Sequence, residues 1–174
     1  MKKLEDFITN IPDYPAPGII FRDITTLISD PEGFRMAIEA MKKDLEGVEF
    51  DAIAGLESRG FIFGAPLAYE LNKSFVLVRK KGKLPRETVS RSYQLEYGTA
   101  EVEMHVDAIR PGDRVVIVDD LIATGGTLRA GCELVEALGG KVVKIATLIE
   151  LPALKGRQAL AEYDISSVVQ FDGE

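Results

Sequence analysis

Apolar residues recur along the chain with two periods, one typical of helices and the other of strands. Residues 34–45 and 128–138 carry apolar side chains at every third or fourth position, which predicts amphipathic helices. A further helix is expected at 60–71, despite Pro66 within it. Short apolar runs, which are typical of buried strands, lie at 51–54, 75–78, 115–118, 142–149 and 165–171. Strands that alternate with helices predict an α/β fold with a central, mostly parallel sheet flanked by helices.

Polar stretches rich in turn formers separate these elements. Asp30 and Pro31 have the residue types of an N-cap and a first helical position, so a helix is expected to begin there. Residues 7–17 contain three prolines and predict an irregular arm. Residues 79–97 predict a long exposed loop, and long loops in compact domains are commonly functional. A half-buried strand is expected to follow at 101–106.

Composition narrows the class of protein. The 174 residues are 46% apolar and 28% charged, which is typical of one soluble globular domain spanning residues 1–174. The apolar runs are too short to cross a bilayer and no secretory leader opens the chain, so we expect a cytoplasmic protein without membrane partners. The net charge of −7 and the pI of about 4.9 argue against a nucleic-acid partner, which would require a cationic surface. The single Cys132 excludes an intrachain disulfide.

Residues 115–127 carry the strongest functional signal in the chain. A buried apolar run leads directly to Asp119 and Asp120, and the turn at 124–127, with the sequence Thr-Gly-Gly-Thr, then passes into a helix. Glycines let the backbone wrap closely around an anion, while threonine hydroxyls and the helix N-terminus add donors and a favourable dipole. A phosphate in the turn and sugar hydroxyls on the two carboxylates would use both features. The alternative is a capped turn without a ligand; neither a Walker loop nor a Gly-x-Gly-x-x-Gly fingerprint is present.

Three other segments suggest ligand contacts, and each has an alternative without a ligand. Ser58 and Arg59 lie between a strand end and a helix, which suits a second anion site or a serine N-cap with an exposed arginine. The spacing of Gly55 and Ser58 rules out the Gly-x-Ser-x-Gly elbow of serine hydrolases. The basic residues at 79–83 suit a diphosphate or a solvated loop, and Phe21, after a Pro-Gly turn, suits a stacked ring or a core anchor.

The sequence resembles the type I phosphoribosyltransferases over nearly the whole chain. Residues 115–127 resemble the motif that binds 5-phosphoribosyl-1-pyrophosphate (PRPP), and segments 14–23, 55–61, 79–85 and 93–98 resemble the adenine phosphoribosyltransferase family. The resemblance implies the type I phosphoribosyltransferase fold, with a small hood formed by the N-terminal arm and a mobile loop. It also implies a homodimer that transfers the phosphoribosyl group from PRPP to adenine, giving AMP and pyrophosphate in purine salvage. Mg²⁺ is implied as the cofactor, bound mainly through PRPP, so no metal ligand is assigned in the chain.

The resemblance also assigns roles to individual residues. Phosphate binding is assigned to Ala123, Thr124, Gly125, Gly126 and Thr127. Pyrophosphate binding is assigned to Glu57, Ser58, Arg59, Arg79, Lys83 and Tyr97, with a non-proline cis peptide before the serine and with Arg79 reaching across the dimer. Adenine binding is assigned to the backbone of Ile20 and Arg22 and to the ring of Phe21. Catalysis is assigned to Glu96, Asp119, Asp120 and Arg59, where Glu96 either accepts the purine proton or only positions groups.

Two other functions stay open on the sequence alone. A PRPP-binding regulator on the same fold would bind without catalysis, but such proteins usually need a nucleic-acid-binding surface, which the net charge of −7 does not favour. The same chemistry on xanthine, guanine or orotate would need a different base pocket. By resemblance, Phe21 and Arg22 in the arm and residues 95–97 favour adenine.

Overall fold

Residues 1–95 and 98–173, which the computed structural model describes, fold around a seven-stranded sheet with helices on both faces. The strands are β1 (Thr9–Pro12), β2 (Ile20–Asp23), β3 (Ala52–Leu56), β4 (Ser74–Lys80), β5 (Thr88–Gln94), β6 (Thr99–His105), β7 (Arg114–Ile122), β8 (Lys141–Glu150) and β9 (Ile165–Gln170). The α-helices are α1 (Thr25–Ile28), α2 (Pro31–Asp44), α3 (Arg59–Leu71), α4 (Gly126–Ala137) and α5 (Gly156–Ala159), and short 3₁₀ helices cover Leu4–Phe7 and Pro152–Leu154. None of the helices in these two ranges has the length and apolar character needed to span a membrane.

The order of the strands places several strand ends at one edge of the sheet. Across the sheet the order is β5-β6-β4-β3-β7-β8-β9. Strand β3 is parallel to β4 and β7, and β8 is parallel to β7 and β9. Strand β6 runs antiparallel to β4 and β5. The mostly parallel sheet expected from the sequence is therefore confirmed, and its carboxyl edge is where such sheets bind ligands.

Successive residues of β7 pack into two apolar cores, one on each face of the sheet. Val116 and Val118 pack in the core that includes α2 and α3, whereas Val115 and Ile117 pack in the core that includes α4. All four side chains are fully buried. This two-sided burial explains why the sequence of β7 is a continuous apolar run and not an alternating one.

Helix α2 begins where its sequence predicts. The Oδ1 atom of Asp30 accepts hydrogen bonds from the backbone N–H of Glu32 at 2.9 Å and of Gly33 at 3.3 Å, and Pro31 occupies the first helical position. A cap of this kind stabilises a helix by about 1 kcal/mol. The helix predicted at 60–71 is present as α3.

The long loop predicted at 79–97 is wrong for part of its length. Residues Thr88–Gln94 form β5, which pairs with β6 along its whole length. Val89 and Tyr93 pack against the core beside α4, while much of the rest of the strand is exposed. An edge strand with one solvated face carries few apolar residues, so its pattern is easily mistaken for that of a polar loop.

Three smaller expectations also need correction. Residues 7–17 are irregular only in part, because β1 pairs with β2 in an antiparallel ladder that ends at a proline, a residue tolerated at strand edges. The run at 75–78 is not fully buried, because the face of β4 that carries Leu77 is only partly covered and leaves that side chain 37% exposed. Strand β7 continues to Ile122, so the two aspartates lie within the strand and not after it.

Candidate active site

A polar cavity opens at the carboxyl edge of the sheet, where β3 and β7 lie side by side. Its volume is about 190 Å³. Strand β7 contributes the two aspartates and the loop that follows it, and β3 contributes the loop that leads into α3. The lining residues are Arg59, Asp119, Asp120, Leu121, Ala123, Thr124, Gly125, Gly126, Thr127 and Leu128.

The loop between β7 and α4 curls around one side of this cavity. Gly125 is the N-cap of α4 and has a φ of +92°, a left-handed conformation that glycine adopts without strain. Its carbonyl accepts the first hydrogen bond of the helix, from Arg129 N at 2.9 Å. The helix N-terminus and its free amide groups therefore face the cavity edge, which makes the loop suitable for an anion.

Two adjacent carboxylates occupy the other side of the cavity in different environments. Asp120 is 5% exposed, and its Oδ2 accepts a hydrogen bond from Arg59 Nε at 2.6 Å. Asp119 Oδ1 accepts one from the backbone N–H of Asp120 at 2.8 Å. Burial, followed by the negative charge of Asp120, raises the pKa of Asp119 well above its usual range. Asp120 in turn raises the pKa of the Arg59 guanidinium.

Gly60 allows the N-terminus of α3 to approach β7 closely. A Cβ atom at this position would lie 2.8 Å from the Val118 carbonyl oxygen and 3.1 Å from Asp119 Oδ1. Any side chain there would push α3 away from the two carboxylates. The contact between Arg59 and Asp120 thus depends on a glycine to which the sequence pattern assigned no role.

A second, more apolar cavity adjoins the first. It has a volume of about 370 Å³, and the two cavities share Arg59, Asp120 and Leu121. Its remaining wall consists of residues 19–22 of the N-terminal arm together with Leu151 and Leu154. Leucine side chains and an aromatic ring beside a polar edge suit a flat heterocycle with hydrogen-bonding groups at its rim.

Arg22 fastens the N-terminal arm to the end of the chain. Its Nη1 donates to Asn10 Oδ1 at 2.7 Å and its Nη2 to the Asp172 carbonyl at 3.1 Å. The guanidinium also lies over the Phe171 ring, 4.4 Å from the ring centroid. The side chain of Arg22 therefore holds β2 in place, and the residue lies on the arm side of the larger cavity.

Among the residues assigned to pyrophosphate, Arg59 lines the polar cavity, whereas Glu57, Arg79 and Lys83 lie around the end of β4. The Glu57–Ser58 peptide bond is cis, as the resemblance implied. The Glu57 carboxylate accepts hydrogen bonds from the backbone N–H of Lys80 and from Arg79 Nη2, the latter at 3.1 Å, so it anchors the end of β4. Lys83 lies in the turn after β4, where its backbone N–H donates to the Lys80 carbonyl at 3.2 Å.

Comparisons with known proteins decide which family this site belongs to. The family described as "Phosphoribosyl transferase domain" matches residues 26–172 of the chain. The adenine phosphoribosyltransferase of Agathobacter rectalis is 59% identical over the full length of both chains. That of Butyrivibrio fibrisolvens is 62% identical over all of this chain and 96% of its own. The chain belongs to the adenine phosphoribosyltransferase family.

Solved structures of adenine phosphoribosyltransferases have the same fold. The enzyme from Thermoanaerobacter pseudethanolicus matches with a TM-score of 0.94 at 55% identity, over 97% of this chain and all of that one. The Saccharomyces cerevisiae enzyme, complexed with D-2,5-dideoxy-2,5-imino-altritol 1,6-bisphosphate and adenine, matches with a TM-score of 0.92 at 41% identity, over 95% of this chain and 96% of that one. The type I phosphoribosyltransferase fold expected from the resemblance is confirmed.

The candidate site brings most of the predicted residues to one edge of the sheet. The five residues of the β7–α4 loop, the two aspartates and Arg59 line the polar cavity, and Ile20, Phe21 and Arg22 line the apolar one. Within the described ranges, Glu57, Ser58, Arg79 and Lys83 line neither cavity. Ser58 is the N-cap of α3, and the other three lie around the end of β4. Glu96 and Tyr97 lie outside the described residues.

Among the residues of the candidate site that sequence reasoning missed are Gly60, Leu121, Leu151 and Leu154. The Ser-Arg-Gly sequence before α3 was a usable signal for Gly60, since a glycine at a helix start invites a close approach. No pattern in the sequence marked the three leucines as residues that line a cavity. Nothing in their spacing separates a leucine that lines a ligand cavity from one that fills a core.

Proposed function

We propose that the chain transfers the 5-phosphoribosyl group of PRPP to adenine, giving AMP and pyrophosphate. The observation that carries the proposal is the pair of adjoining cavities that share the Arg59–Asp120 ion pair. One cavity suits a sugar phosphate and the other suits an aromatic base, so their junction is where a bond between sugar and base would form or break. We assign adenine as the base because the chain belongs to the adenine phosphoribosyltransferase family.

The polar cavity is proposed to hold the ribose 5-phosphate part of PRPP. The 5-phosphate would accept hydrogen bonds from the amides and hydroxyls of residues 123–127 at the start of α4. The two ribose hydroxyls would donate to Asp119 and Asp120, which are acceptors of the required kind. A carboxylate whose pKa is raised by burial gains most from such donors, because hydrogen bonds to its charged form replace lost solvation.

The apolar cavity is proposed to hold adenine against the N-terminal arm. Ile20 lines this cavity from β2, and its backbone carbonyl and amide are proposed to pair with the adenine amino group and N1. Phe21, which packs edge-on against Tyr14 with ring centroids 5.3 Å apart, would supply an aromatic surface for the base.

Bond exchange at the ribose C1 atom develops positive charge on the sugar and negative charge on pyrophosphate. Asp119 and Asp120 would lie near the positive charge and stabilise it. Arg59 donates its Nε–H to Asp120, and among the described residues both terminal nitrogens of its guanidinium remain available to the pyrophosphate. Lys83 and Arg79 are proposed to add positive charge when the loop after β4 approaches, and Glu96 to accept the purine proton or position groups.

Mg²⁺ fits this site as a partner of PRPP. The carboxylate oxygens of Asp119 and Asp120 are ligands of the type that Mg²⁺ prefers, and their mutual repulsion would be relieved by a cation. In residues 1–95 and 98–173 no group of three or more metal-ligating side chains forms a protein cage, so PRPP oxygens and water would complete the coordination. The ion would neutralise charge on the diphosphate.

The cytoplasmic location and the homodimer expected from the sequence belong to the same proposal.

Product analysis with a panel of bases tests the function. Protein, PRPP and Mg²⁺ are incubated with adenine, hypoxanthine, guanine or xanthine, and nucleotide and pyrophosphate are quantified. We expect equal amounts of AMP and pyrophosphate with adenine, and rates lower by about 10² or more with the other bases. Preferred use of another base would contradict the assignment of the base. Tight PRPP binding without product from any base would favour the non-catalytic regulator.

A further inference from the structure

Residues 151–160, which we call the bridging segment, contact both halves of the site. Leu151 and Leu154 line the apolar cavity proposed for adenine. The backbone N–H of Leu151 also donates to the Ile122 carbonyl at 3.0 Å, where β7 ends and residues 123–127, which we call the phosphate loop, begin. Leu160, at the other end of the segment, is fully buried. The bridging segment thus forms part of the wall of the cavity proposed for adenine, which we call the purine wall, and then continues behind the phosphate loop.

The bridging segment packs so closely against the back of the phosphate loop that the interface has no room for an added methyl group. A Cβ atom at Gly156 would overlap the Ala123 carbonyl oxygen and lie 2.8 Å from Ile122 Cγ1. A Cβ atom at Gly125 would lie 3.2 Å from Leu160 Cδ1 and 3.3 Å from the Gly156 carbonyl oxygen. At this packing density the loop cannot keep its conformation if the segment shifts.

A buried carboxylate anchors the bridging segment through Arg157, and Arg129 Nη2 donates to the Ala159 carbonyl of the same segment. Glu150, the last residue of β8, is 4% exposed, and its carboxylate accepts hydrogen bonds from Arg157 Nε at 3.2 Å and Nη2 at 2.8 Å. It also accepts from Ser167 Oγ at 2.7 Å and Gln170 Nε2 at 3.3 Å. Arg157 Nη1 donates to the Ile165 carbonyl at 2.7 Å. The hydrogen bond from Arg157 lowers the pKa of Glu150, so this anchor is charged at neutral pH.

We propose that Arg157 is a positioning residue for the transfer reaction, which acts by holding the bridging segment against the phosphate loop and the purine wall. The inference rests on the proposed function. Within the described residues Arg157 lines neither cavity, so its effect on substrates is transmitted through Leu154 and Gly156. A two-point contact from a planar guanidinium fixes orientation as well as distance, which a lysine ammonium cannot do.

Replacing Arg157 tests the proposal. Arg157→Gln is expected to lower kcat/KM by about 10- to 100-fold, mainly through higher KM values for both PRPP and adenine, because small displacements of a binding site cost rate steeply. AMP affinity, measured by calorimetry on the folded variant, should fall by a similar factor. Arg157→Lys keeps the charge without the two-point contact and should lie between the wild type and the glutamine variant.

The chain offers a matched control at the opposite end of β7. Arg114 makes a comparable two-point contact with Asp51, with Nε–Oδ2 and Nη2–Oδ1 distances of 3.1 Å. Arg114→Gln should lower Tm but leave both KM values within about twofold of the wild type, because additive effects are expected for sites without shared contacts. Equal KM changes in the Arg114 and Arg157 variants would mean general destabilisation and would overturn the proposal.

Two further outcomes distinguish failure of the Arg157 proposal from failure of the proposed function on which it rests. Native KM values and AMP affinity in folded Arg157→Gln overturn the positioning role and leave the function standing. Failure of the wild type to form AMP in the base panel overturns the function itself. If the glutamine variant does not fold, native KM values in Arg157→Lys count against the proposal in the same way.

Discussion

At Asp119 the requirements of folding and of catalysis conflict. The proposed role needs a charged carboxylate beside the ribose, yet burial and the neighbouring Asp120 raise the pKa of Asp119 and disfavour that charge. Asp120, in contrast, pairs with a basic group, because its Oδ2 accepts a hydrogen bond from Arg59 Nε at 2.6 Å. Groups held in an unfavourable environment are typical of active sites, where stability is sacrificed for function.

The first prediction follows from this difference between the two aspartates. Asp119→Asn removes a charge that burial disfavours, and the amide oxygen still accepts from the Asp120 N–H, so Tm at neutral pH should rise. Turnover should nevertheless fall by about 10² or more, the scale for loss of one transition-state electrostatic group. Asp120→Asn, the matched control, should lose turnover similarly but lower Tm, because it deprives Arg59 of its carboxylate.

The pH dependence of this effect has a definite sign. A folded-state pKa above the ordinary value of 3.8 means that the folded state holds its proton longer than the unfolded state. The contribution of Asp119 to stability is therefore complete below pH 3.8 and is lost as pH rises through the raised pKa. The Tm gain of Asp119→Asn over the wild type should be near zero at pH 3.5 and grow with pH. A gain that shrinks as pH rises would contradict the assignment.

At the scale of elements, the phosphate loop contains two adjacent glycines with different roles. Gly125 has a φ of +92° and packs against Leu160, whereas among the described residues a Cβ atom at Gly126 would meet only Tyr93 Cδ2, at 3.9 Å. Gly125→Ala therefore forces the loop out of its conformation and should weaken AMP binding by 10-fold or more, since a side chain is strained at that φ. Gly126→Ala should keep AMP affinity within a few-fold. Calorimetry giving the reverse order would show that the loop binds in another conformation.

The N-terminal arm carries the next prediction. Ile20→Pro removes the amide proposed to face adenine N1 and should sharply weaken adenine use, whereas Ile20→Ala keeps the backbone groups and should keep the preference for adenine. A 6-oxo purine at this site would leave two polar pairs mismatched, each worth about 1–3 kcal/mol, which gives discrimination of about 10² to 10⁴. The measurement is the ratio of kcat/KM for adenine and hypoxanthine. Full adenine selectivity in a folded Ile20→Pro variant would mean that the base is read elsewhere.

At the scale of the whole molecule, the expected assembly is a homodimer. The prediction comes from the family resemblance, which places Arg79 near the partner's pyrophosphate site. Within one chain, Arg79 Nη2 donates to Glu57, so the arginine is already held at the end of β4 that would face a partner. Light scattering should give twice the chain mass of 19.1 kDa at working concentrations. A monomer mass with full activity would rule out a required contribution across the dimer.

Local patterns in the sequence were sufficient to predict most of the secondary-structure elements and the polar half of the candidate site. The period of apolar residues located α2, α3, α4 and the parallel strands, because one-sided and two-sided burial leave different spacings. The glycines and aspartates of 119–127 marked the polar half of the site, because an anion loop at a helix start needs those residue types in one continuous stretch. In both cases the chemistry is encoded by neighbours in the chain.

The tertiary structure alone decided the contacts between distant segments. Arg59 meets Asp120 across 61 positions, and Arg22 meets the Asp172 carbonyl across 150, with no local pattern to announce either contact. Strand β5 was mistaken for a loop because an edge strand gains its order from pairing with β6 and not from its own apolar residues. Leu151 and Leu154 line the larger cavity only because β8 runs beside β7 and brings them to the same edge of the sheet. Such contacts depend on how the sheet is assembled, which no short window of sequence records.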